Sequence, residues 1–216
     1  MMKLLATTSA LTLVAGLLLS APASATAIPV SNYSFETLPA GGLPILCGGS
    51  CAYSVDAIPG WTNSGFSGQL LMGGYAGNPS AYDGSIIAFT RNNLISQDVA
   101  TAVAGNTYTL QVALLHRTDV SMAGVIQLEI GGGVVATATG IDGGPGTWNN
   151  WTAVYTAAVA DAGKTVTIAL SATGDQGDFD DVRLDAVSVV AAPEPASIVL
   201  LGAGLLGLGL TRRKRA

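Results

Sequence analysis

Residues 107–116 read TYTLQVALLH, and this stretch decides the fold class. Apolar side chains alternate along it with polar or small ones, which is the period of two expected of a half-buried β-strand. No comparably long segment of the chain carries a helical apolar period. The stretch therefore predicts a strand with one face towards a core, formed by Tyr108, Leu110, Val112 and Leu114.

The rest of the chain repeats this pattern in shorter pieces. Its 28 glycines and nine prolines separate short apolar runs, a composition typical of many short strands joined by turns. We expect one all-β domain over residues 28–190, a β-sandwich of jelly-roll type. Strands are predicted at residues 28–36, 69–72, 85–90, 93–99, 107–116, 125–130, 134–139, 151–156, 164–171 and 179–190, with another beginning at Trp61.

The predicted domain is strongly acidic. Residues 28–190 contain four basic and 13 acidic residues, a formal balance of −9, although the whole chain carries −5. Scattered positive charges give no electrostatic footprint for nucleic acid or anionic lipid, so neither is expected as a partner. Acidic clusters in an exported protein suit calcium, which takes oxygen ligands. The four basic residues are Arg91, Arg117, Lys164 and Arg183.

The two cysteines, Cys47 and Cys51, flank three small residues. In an oxidising export compartment this spacing predicts a local disulfide that ties down one loop. Zinc is the alternative, but two thiolates and one distant histidine, His116, cannot complete a structural zinc site. The disulfide is therefore preferred, with a modest entropic contribution because its loop is small.

Acidic residues concentrate in the last predicted strand, which includes GDFDDVRLD at residues 177–185. Counting by two places Asp180 on the same face as Val182 and Leu184, which we expect to be the core face. A carboxylate there must be paired or must bind a cation, since an isolated buried charge is costly. First and last strands of a jelly roll commonly lie side by side, which would bring Glu36 towards Asp180. The alternative is that these aspartates are solvated turn residues.

Five short motifs are spread over nearly the whole predicted domain. They are Asn32, Phe35 and Glu36; Pro59, Gly60 and Trp61; Asp83 and Gly84; Gly105, Tyr108, Thr109 and Leu110; and Asp178, Phe179, Asp180, Val182, Arg183 and Leu184. Together they resemble the galactose-binding-like β-sandwich superfamily. Within it, the resemblance is to the calcium-dependent Stig cyclases of indole alkaloid biosynthesis. Because each motif is short, the resemblance speaks for the fold more than for an activity.

The resemblance implies two roles for acidic residues. Such modules hold a structural calcium between an N-terminal acidic residue and a C-terminal aspartate, which correspond here to Glu36 and Asp180, with Asp181 and Asn32 as further candidates. In the alkaloid cyclases, an acidic residue and aromatic side chains of a pocket are thought to promote rearrangement of an indole substrate. The corresponding acid here would be Asp178 or Asp180, and the aromatic walls would be Tyr82, Phe89 or Trp151.

The residues by themselves fix no catalytic site. No Ser or Cys stands in a nucleophile elbow, and the lone His116 at a strand end fits packing better than general-base catalysis. We therefore expect a non-catalytic, calcium-stabilised surface module with glycan affinity. The alternatives are a calcium-dependent cyclase acting on a small apolar substrate, which requires an enclosed pocket, and a purely structural biofilm-matrix protein. Candidate sugar-stacking residues are Trp148, Tyr75 and Tyr82, whereas Trp61 and Trp151 are expected in the core.

The amino end, residues 1–27, has the pattern of a secretory signal peptide. Lys3 precedes an apolar stretch at residues 11–19, and the alanine-rich residues 21–25 supply a cleavage site. We expect cleavage after Ala25 or Ala27.

The last stretch, residues 191–216, combines a Pro-Glu-Pro turn, an apolar run at residues 198–210 and a basic end. The run falls short of the roughly 20 residues of a comfortable span, so it predicts a temporary tether to the inner membrane. The order resembles the PEP-CTERM sorting signal, which implies processing by exosortase and delivery to the cell surface or extracellular matrix, where exopolysaccharide is a candidate partner. The signal residues are Pro193, Glu194, Pro195, Arg212, Arg213, Lys214 and Arg215.

Overall fold

The computed structural model describes residues 25–120, 124–138, 143–172 and 175–188. The sorting tail and all of the signal segment before residue 25 lie outside the described residues. Within these ranges the chain forms 13 β-strands and two short 3-10 helices, Tyr75–Gly77 and Val159–Asp161. The strands are β1 Ala25–Ile28, β2 Ile45–Gly48, β3 Cys51–Ser54, β4 Thr62–Asn63, β5 Ser67–Leu71, β6 Ile86–Thr90, β7 Leu94–Thr101, β8 Asn106–His116, β9 Gly124–Ile130, β10 Gly133–Thr137, β11 Thr147–Thr156, β12 Thr165–Ala172 and β13 Gly177–Ser188.

The strands form two antiparallel sheets that pack as a sandwich. The larger, eight-stranded sheet has the order β11-β8-β13-β6-β5-β3-β2, and β1 also pairs with β13. The smaller, five-stranded sheet has the order β10-β9-β12-β7-β4. The predicted all-β sandwich of jelly-roll type is therefore confirmed. The pairing of β1 with β13 places the first and last strands side by side, as expected.

The main core lies between the two sheets. The predicted apolar face of β8 is buried there, with Tyr108 1% exposed and Leu110, Val112 and Leu114 fully buried. The smaller sheet faces it with alternate residues of β9 and β12, since the intervening positions of both strands point away from the core. These facing residues are Ile126, Leu128, Ile130, Val166, Ile168 and Leu170.

The larger sheet is also apolar on its outer face. Along β6, Ile86 and Ala88 belong to the main core, whereas Ile87 and Phe89 belong to a second cluster on the opposite face. This explains why β6 reads as a continuous apolar run, since a strand buried on both faces needs no polar alternation. The second cluster contains Cys51, Leu70, Met72, Ile87, Phe89 and Leu115.

The predicted strand at residues 28–36 is wrong in its extent. Only Ile28 belongs to a strand, and residues 31–35 form turns in which Asn32 and Phe35 have positive φ angles of 48° and 60°. Alternating apolar residues suggested a strand, but the tertiary contacts of Phe35 override that local preference. Phe35 is fully buried, and its ring lies 5.4 Å from that of Trp61. Trp61 is a core residue, as predicted.

A β-bulge in β13 overturns the predicted orientation of Asp180. The pairing with β8 shifts between Asp180 and Arg183, and Asp181 has a positive φ of 47°. Because a bulge inserts one extra residue, counting by two fails across it. Phe179 and Val182 both join the main core, so Asp180 faces outwards, opposite to Val182.

The hairpin of β2 and β3 was not predicted, because its strands are short and rich in glycine and small residues. It carries the predicted disulfide, which is confirmed between Cys47 and Cys51 with Cα atoms 5.1 Å apart. Among residues of the described ranges, no helix has the length and hydrophobicity needed to span a membrane.

Candidate functional site

A pocket of about 360 Å³ opens on the outer face of the larger sheet. Four of its twelve lining residues are aromatic, and the others are the two cysteines of the disulfide, a leucine, a valine, two arginines, an aspartate and a glutamine. A volume of this size falls within the range of small-molecule sites, roughly 300–1,000 Å³. The lining residues are Cys47, Cys51, Tyr53, Phe66, Leu70, Tyr75, Phe89, Arg91, Arg117, Asp119, Val120 and Gln176.

One cross-strand row positions the base of this region. Trp148 of β11 pairs with Leu115 of β8, which pairs with Asp178 of β13, which in turn pairs with Phe89 of β6. Directly paired residues of an antiparallel sheet share a face, so all four side chains lie on the outer side. Asp178 is 1% exposed and lies among the apolar residues of this row.

A chain of polar side chains runs from Asp178 to the pocket lining. Gln176 donates its amide N–H to Asp178 Oδ1 at 2.5 Å and accepts a hydrogen bond from Arg91 Nε at 2.8 Å. Arg117 Nη1 lies 3.4 Å from Asp178 Oδ2. The same guanidinium donates to both carboxylate oxygens of Asp119, at 2.8 and 2.5 Å. Arg117 therefore bridges two carboxylates.

Burial and the positive charge of Arg117 set the protonation states of Asp178 and Asp119. Burial raises the pKa of Asp178 to about 6, against the opposing effect of the nearby Arg117 charge. The hydrogen bond from Arg117 holds the pKa of Asp119 below its usual value. Asp178 is therefore mostly ionised at neutral pH and becomes protonated in mildly acidic solution.

The loop that carries Tyr75 is tied to the Arg117 segment. Asn78 donates to Asp119 Oδ1 at 2.9 Å and accepts from the backbone N–H of Thr118 at 2.8 Å. Tyr75 is 37% exposed and forms part of the pocket wall. Of the predicted sugar-stacking residues, it is the one that lines the pocket.

Tyr82 and Trp148 form a pair beside the second apolar cluster. Their ring centroids lie 6.0 Å apart in an edge-on arrangement, and Trp148 packs against that cluster. The Trp148 indole N–H donates to the Ser80 carbonyl at 2.9 Å, and Asn150 donates to the Tyr82 hydroxyl at 3.0 Å. The Tyr82 ring is 45% exposed, so this pair presents an aromatic surface to solvent.

Trp151 lies on the other face of the larger sheet. It pairs with Val112 and packs against the main core, as predicted. The other aromatic candidates of the predicted cyclase set, Tyr82 and Phe89, and the acidic candidate Asp178 lie on the outer side. Phe89 lines the pocket, whereas Asp178, Asp180, Tyr82 and Trp151 are not among its lining residues.

Two of the predicted calcium ligands, Asn32 and Glu36, lie in the turn segment at residues 31–37. Glu36 Oε1 accepts the backbone N–H groups of Ser85 and Ile86, both at 2.7 Å. Asn32 accepts the N–H of Thr37 at 2.9 Å and donates to the carbonyls of Thr37 and Pro59. Both side chains therefore hold the turn at residues 31–37 against its neighbours.

Asp180 and Asp181 also have protein partners. Asp180 Oδ2 accepts from the Asp83 N–H at 2.9 Å and Oδ1 from the Asp181 N–H at 2.7 Å, while Asp181 pairs with Arg183 at 2.8 Å. Burial raises the pKa of Asp180 to about 7. Within the described ranges, no three His, Cys, Asp or Glu side chains come together as metal ligands. A site of two carboxylates completed by backbone carbonyls, the form predicted from the sequence, stays a prediction.

Comparison with family models identifies the domain. A model described as HpiC1 cyclase matches residues 26–185. The chain belongs to the HpiC1 cyclase family. A second model, the PEP-CTERM protein-sorting motif, matches residues 191–215 and implies exosortase-dependent export.

Solved structures of cyclases share the fold. The Stig cyclase of Fischerella sp. TAU in complex with (3Z)-3-(1-methyl-2-pyrrolidinylidene)-3H-indole has a TM-score of 0.63 at 21% identity, covering 76% of this chain and 98% of its own. An apo cyclase from Fischerella sp. has a TM-score of 0.61 at 23% identity, and the match covers 76% of this chain and 97% of its own. A cyclase from Fischerella sp. TAU in complex with 4-(1H-indol-3-yl)butan-2-one has a TM-score of 0.59 at 19% identity. The match covers 74% of this chain and 97% of its own. Comparison with curated proteins finds no match.

The sequence reasoning missed most of the pocket of this HpiC1 cyclase family member. Arg91, Arg117 and Gln176 are 26 to 85 residues apart and meet only through the order of strands β6, β8 and β13. One available signal was the scarcity of basic residues, because an arginine in so acidic a domain needs a specific partner. Tyr53 stood in a segment for which no strand was predicted, and Phe66 stood between the strand predicted to begin near Trp61 and the one predicted at residues 69–72, so the direction of neither side chain could be counted.

Proposed function

We propose that this protein is an exported surface module that binds a small ring-shaped ligand in the outer-face pocket. The observation that supports this proposal is the pocket, which has a volume of about 360 Å³ and is lined in part by Tyr53, Phe66, Tyr75 and Phe89. Hydrogen bonds join Arg91 of the pocket lining to Gln176 and Gln176 to Asp178. Aromatic faces bind flat rings by stacking, and a few fixed polar groups orient them. The sorting motif delivers this module to the cell surface or the extracellular matrix.

Binding is preferred to catalysis because of the partners of Asp178. Its carboxylate faces the Arg117 guanidinium at 3.4 Å and accepts from Gln176 at 2.5 Å. Both contacts favour the ionised carboxylate, whereas a general acid must hold a proton at working pH. Asp178 thus serves the pocket best by fixing Gln176 and Arg117.

Glycan affinity is part of this proposal. Tyr75 in the pocket and the exposed Tyr82–Trp148 pair supply aromatic faces on one side of the sheet. Sugar rings stack on such faces, and an extracellular polysaccharide is the ligand that an exported module would meet.

The test is a titration of the full chain with 4-(1H-indol-3-yl)butan-2-one, the compound in one of the Fischerella cyclase complexes. We expect saturable quenching of tryptophan fluorescence or a calorimetric signal. Phe66→Ala should weaken binding at least fivefold, since Phe66 is a pocket wall that is 42% exposed. Leu94→Ala, which removes a side chain 39% exposed on the smaller sheet, is the matched control. Absence of saturable binding by this probe and by glycans would sink the proposal.

A cyclase is the second candidate, favoured by family membership and by the raised pKa of Asp178. Below pH about 6, the protonated Asp178 would donate its proton to an apolar substrate's double bond, and the resulting cation would close a ring and release a proton. The product would have the substrate's mass. Such an isomerisation should be faster at pH 5.5 than at pH 7.5 and be lost in Asp178→Asn, while Asp185→Asn serves as control.

Calcium stabilisation belongs to the proposal as well. Asp83, Asp180 and Asp181 lie close together with Arg183 as the basic partner, and the Asp83 charge raises the pKa of Tyr33. Such an accumulation of negative charge and oxygen donors is what a divalent cation neutralises. Glu36 and the aspartates at the bulge are the residues that would hold it, and the ion would supply stability rather than chemistry.

A further inference from the structure

The four basic residues of the described domain differ in whether they pair with a carboxylate. Lys164 pairs with Asp161 at 3.4 Å, Arg183 with Asp181 at 2.8 Å, and Arg117 with Asp119 and Asp178. Arg91 pairs with no carboxylate of the residues that the structure describes. In a domain with 13 acidic residues, a cation that pairs with none of the described carboxylates needs another explanation.

Arg91 lines the pocket with its guanidinium already oriented. The group lies 5.3 Å from the centroid of the Phe66 ring, a cation–π distance, and its Nε donates to Gln176 Oε1 at 2.8 Å. Gln176 is 4% exposed and is fixed in turn by Asp178. Stacking and one hydrogen bond hold the plane of the guanidinium. Its two terminal amino groups are the donors that a ligand can use.

The other charges of the site are already balanced. Arg117 lies between Asp119 and Asp178 and has its donors directed at them, so it offers little to a ligand. Of the two arginines among the described lining residues, Arg91 is the one whose charge is left for an anion. A planar guanidinium binds a carboxylate through two parallel N–H···O bonds, which is stronger and more directional than a neutral contact.

We propose that the pocket selects a ligand that carries a carboxylate on a six-membered ring. Arg91 binds the carboxylate, and the ring packs against the aromatic walls formed by Tyr53, Phe66 and Tyr75. This inference rests on the proposed binding function and adds the ligand class to it. The shared chemistry has two natural sources, a uronic acid of an acidic polysaccharide and an aromatic acid.

The experiment compares acids with their neutral counterparts on the full chain. Benzoate and benzamide form one pair, and D-glucuronate and D-glucose form the other, titrated by calorimetry or ligand-observed NMR at about 0.15 M salt, where the Debye length of about 8 Å screens the domain's net charge. We expect the acid of at least one pair to bind tenfold or more tightly than its neutral partner. The pair that shows this difference identifies the source.

Variants assign the discrimination to Arg91. Arg91→Gln should remove the preference for the acid, and Arg91→Lys should keep part of it, since lysine retains the charge but not the paired donors. Arg183→Gln, which removes a cation 63% exposed outside the pocket, should leave the preference unchanged. Melting curves of the variants confirm that each remains folded.

The outcomes distinguish a failure of the proposed carboxylate selectivity from a failure of the proposed binding function. Equal binding of the acids and their neutral counterparts, or a preference that survives Arg91→Gln, overturns the carboxylate selectivity while the pocket remains a binding site. If neither pair binds and 4-(1H-indol-3-yl)butan-2-one also fails, the binding function itself is overturned.

Discussion

The inner and outer faces of the larger sheet both carry buried apolar side chains, but another sheet closes only the inner face. Phe35 and Phe179 on the inner side are fully buried. On the outer side Phe66 remains 42% exposed, and Asp178 lies buried with Gln176 and Arg117 as partners. The inner face uses aromatic rings for packing, while the outer face leaves rings and oriented polar groups at a pocket. Burial of charge therefore marks the side of the sheet on which the proposed binding pocket lies.

The sharpest test of this difference is the same substitution on both faces. Phe35→Ala should lower the free energy of unfolding by about 3–5 kcal/mol, because it leaves a cavity in a closed core. Phe66→Ala should cost about 1 kcal/mol or less, since its ring is partly solvated, but should weaken ligand binding. Urea unfolding followed by tryptophan fluorescence measures both. Similar losses of stability in the two variants would show that the outer face is as much a core as the inner one.

The buried carboxylates of the outer face give the next largest effect. The pKa values of Asp178 and Asp180 are raised to about 6 and about 7, so the folded state binds their protons more tightly than the unfolded state does. Their contribution to stability is fully present below about pH 4 and is lost as the pH rises through about 6 and 7. The loss for Asp178 alone is on the order of 2–3 kcal/mol.

Unfolding at a series of pH values between 4.5 and 7.5 measures this slope. Asp178→Asn should remove the part of the slope that lies between about pH 4 and pH 6, and Asp185→Asn should not change it. A stability that rises with pH across this window would show that a positive charge, such as a bound cation, offsets the burial of these groups.

The disulfide beside the pocket gives a smaller effect with two readouts. Replacing Cys47 and Cys51 together by Ser should lower stability by about 2 kcal/mol from chain entropy. Because both sulfurs line the pocket, ligand affinity should fall as well. Ser50→Ala is the control in the same hairpin, since it removes only the hydrogen bond to the Gly73 carbonyl. Unchanged affinity in the double variant would mean that the hairpin does not shape the pocket.

Calcium should give the smallest effect, on the order of a few degrees in Tm. We expect added calcium to raise the unfolding temperature and a chelator to lower it, because the bulge region concentrates negative charge. Glu36→Gln should reduce the difference, whereas Glu129→Gln on β9 should preserve it. Calorimetric scans that are identical with calcium and with chelator would remove the metal from the proposal.

The sequence was sufficient to predict which side chains face the core wherever a strand kept a strict alternation of two. The alternation in β8 predicted which side chains enter the core, and the continuous apolar run of β6 predicted a buried strand. Counting failed at Asp180, since the bulge at Asp181 adds a residue that no local pattern announces. It failed also at Phe35, whose positive φ is stabilised by contacts with Trp61 from a distant segment.

The candidate site was predicted only in part for the same reason. Asp178 could be named from the family resemblance, and Tyr75 could be named as a candidate sugar-stacking residue. The contacts of Arg91 with Gln176 and of Arg117 with Asp178 join segments 85 and 61 residues apart. Such partners are brought together by strand order, which one sequence does not reveal residue by residue.

The position of β13 has a consequence for folding. This strand lies between β8 and β6 and also holds β1, so the larger sheet is divided into two parts until β13 is in place. It is the last strand along the described part of the chain, and the sorting motif follows it. Synthesis from the amino end therefore supplies the strand that joins the two parts after all the other described strands. The larger sheet closes only when β13 pairs with β8 and β6.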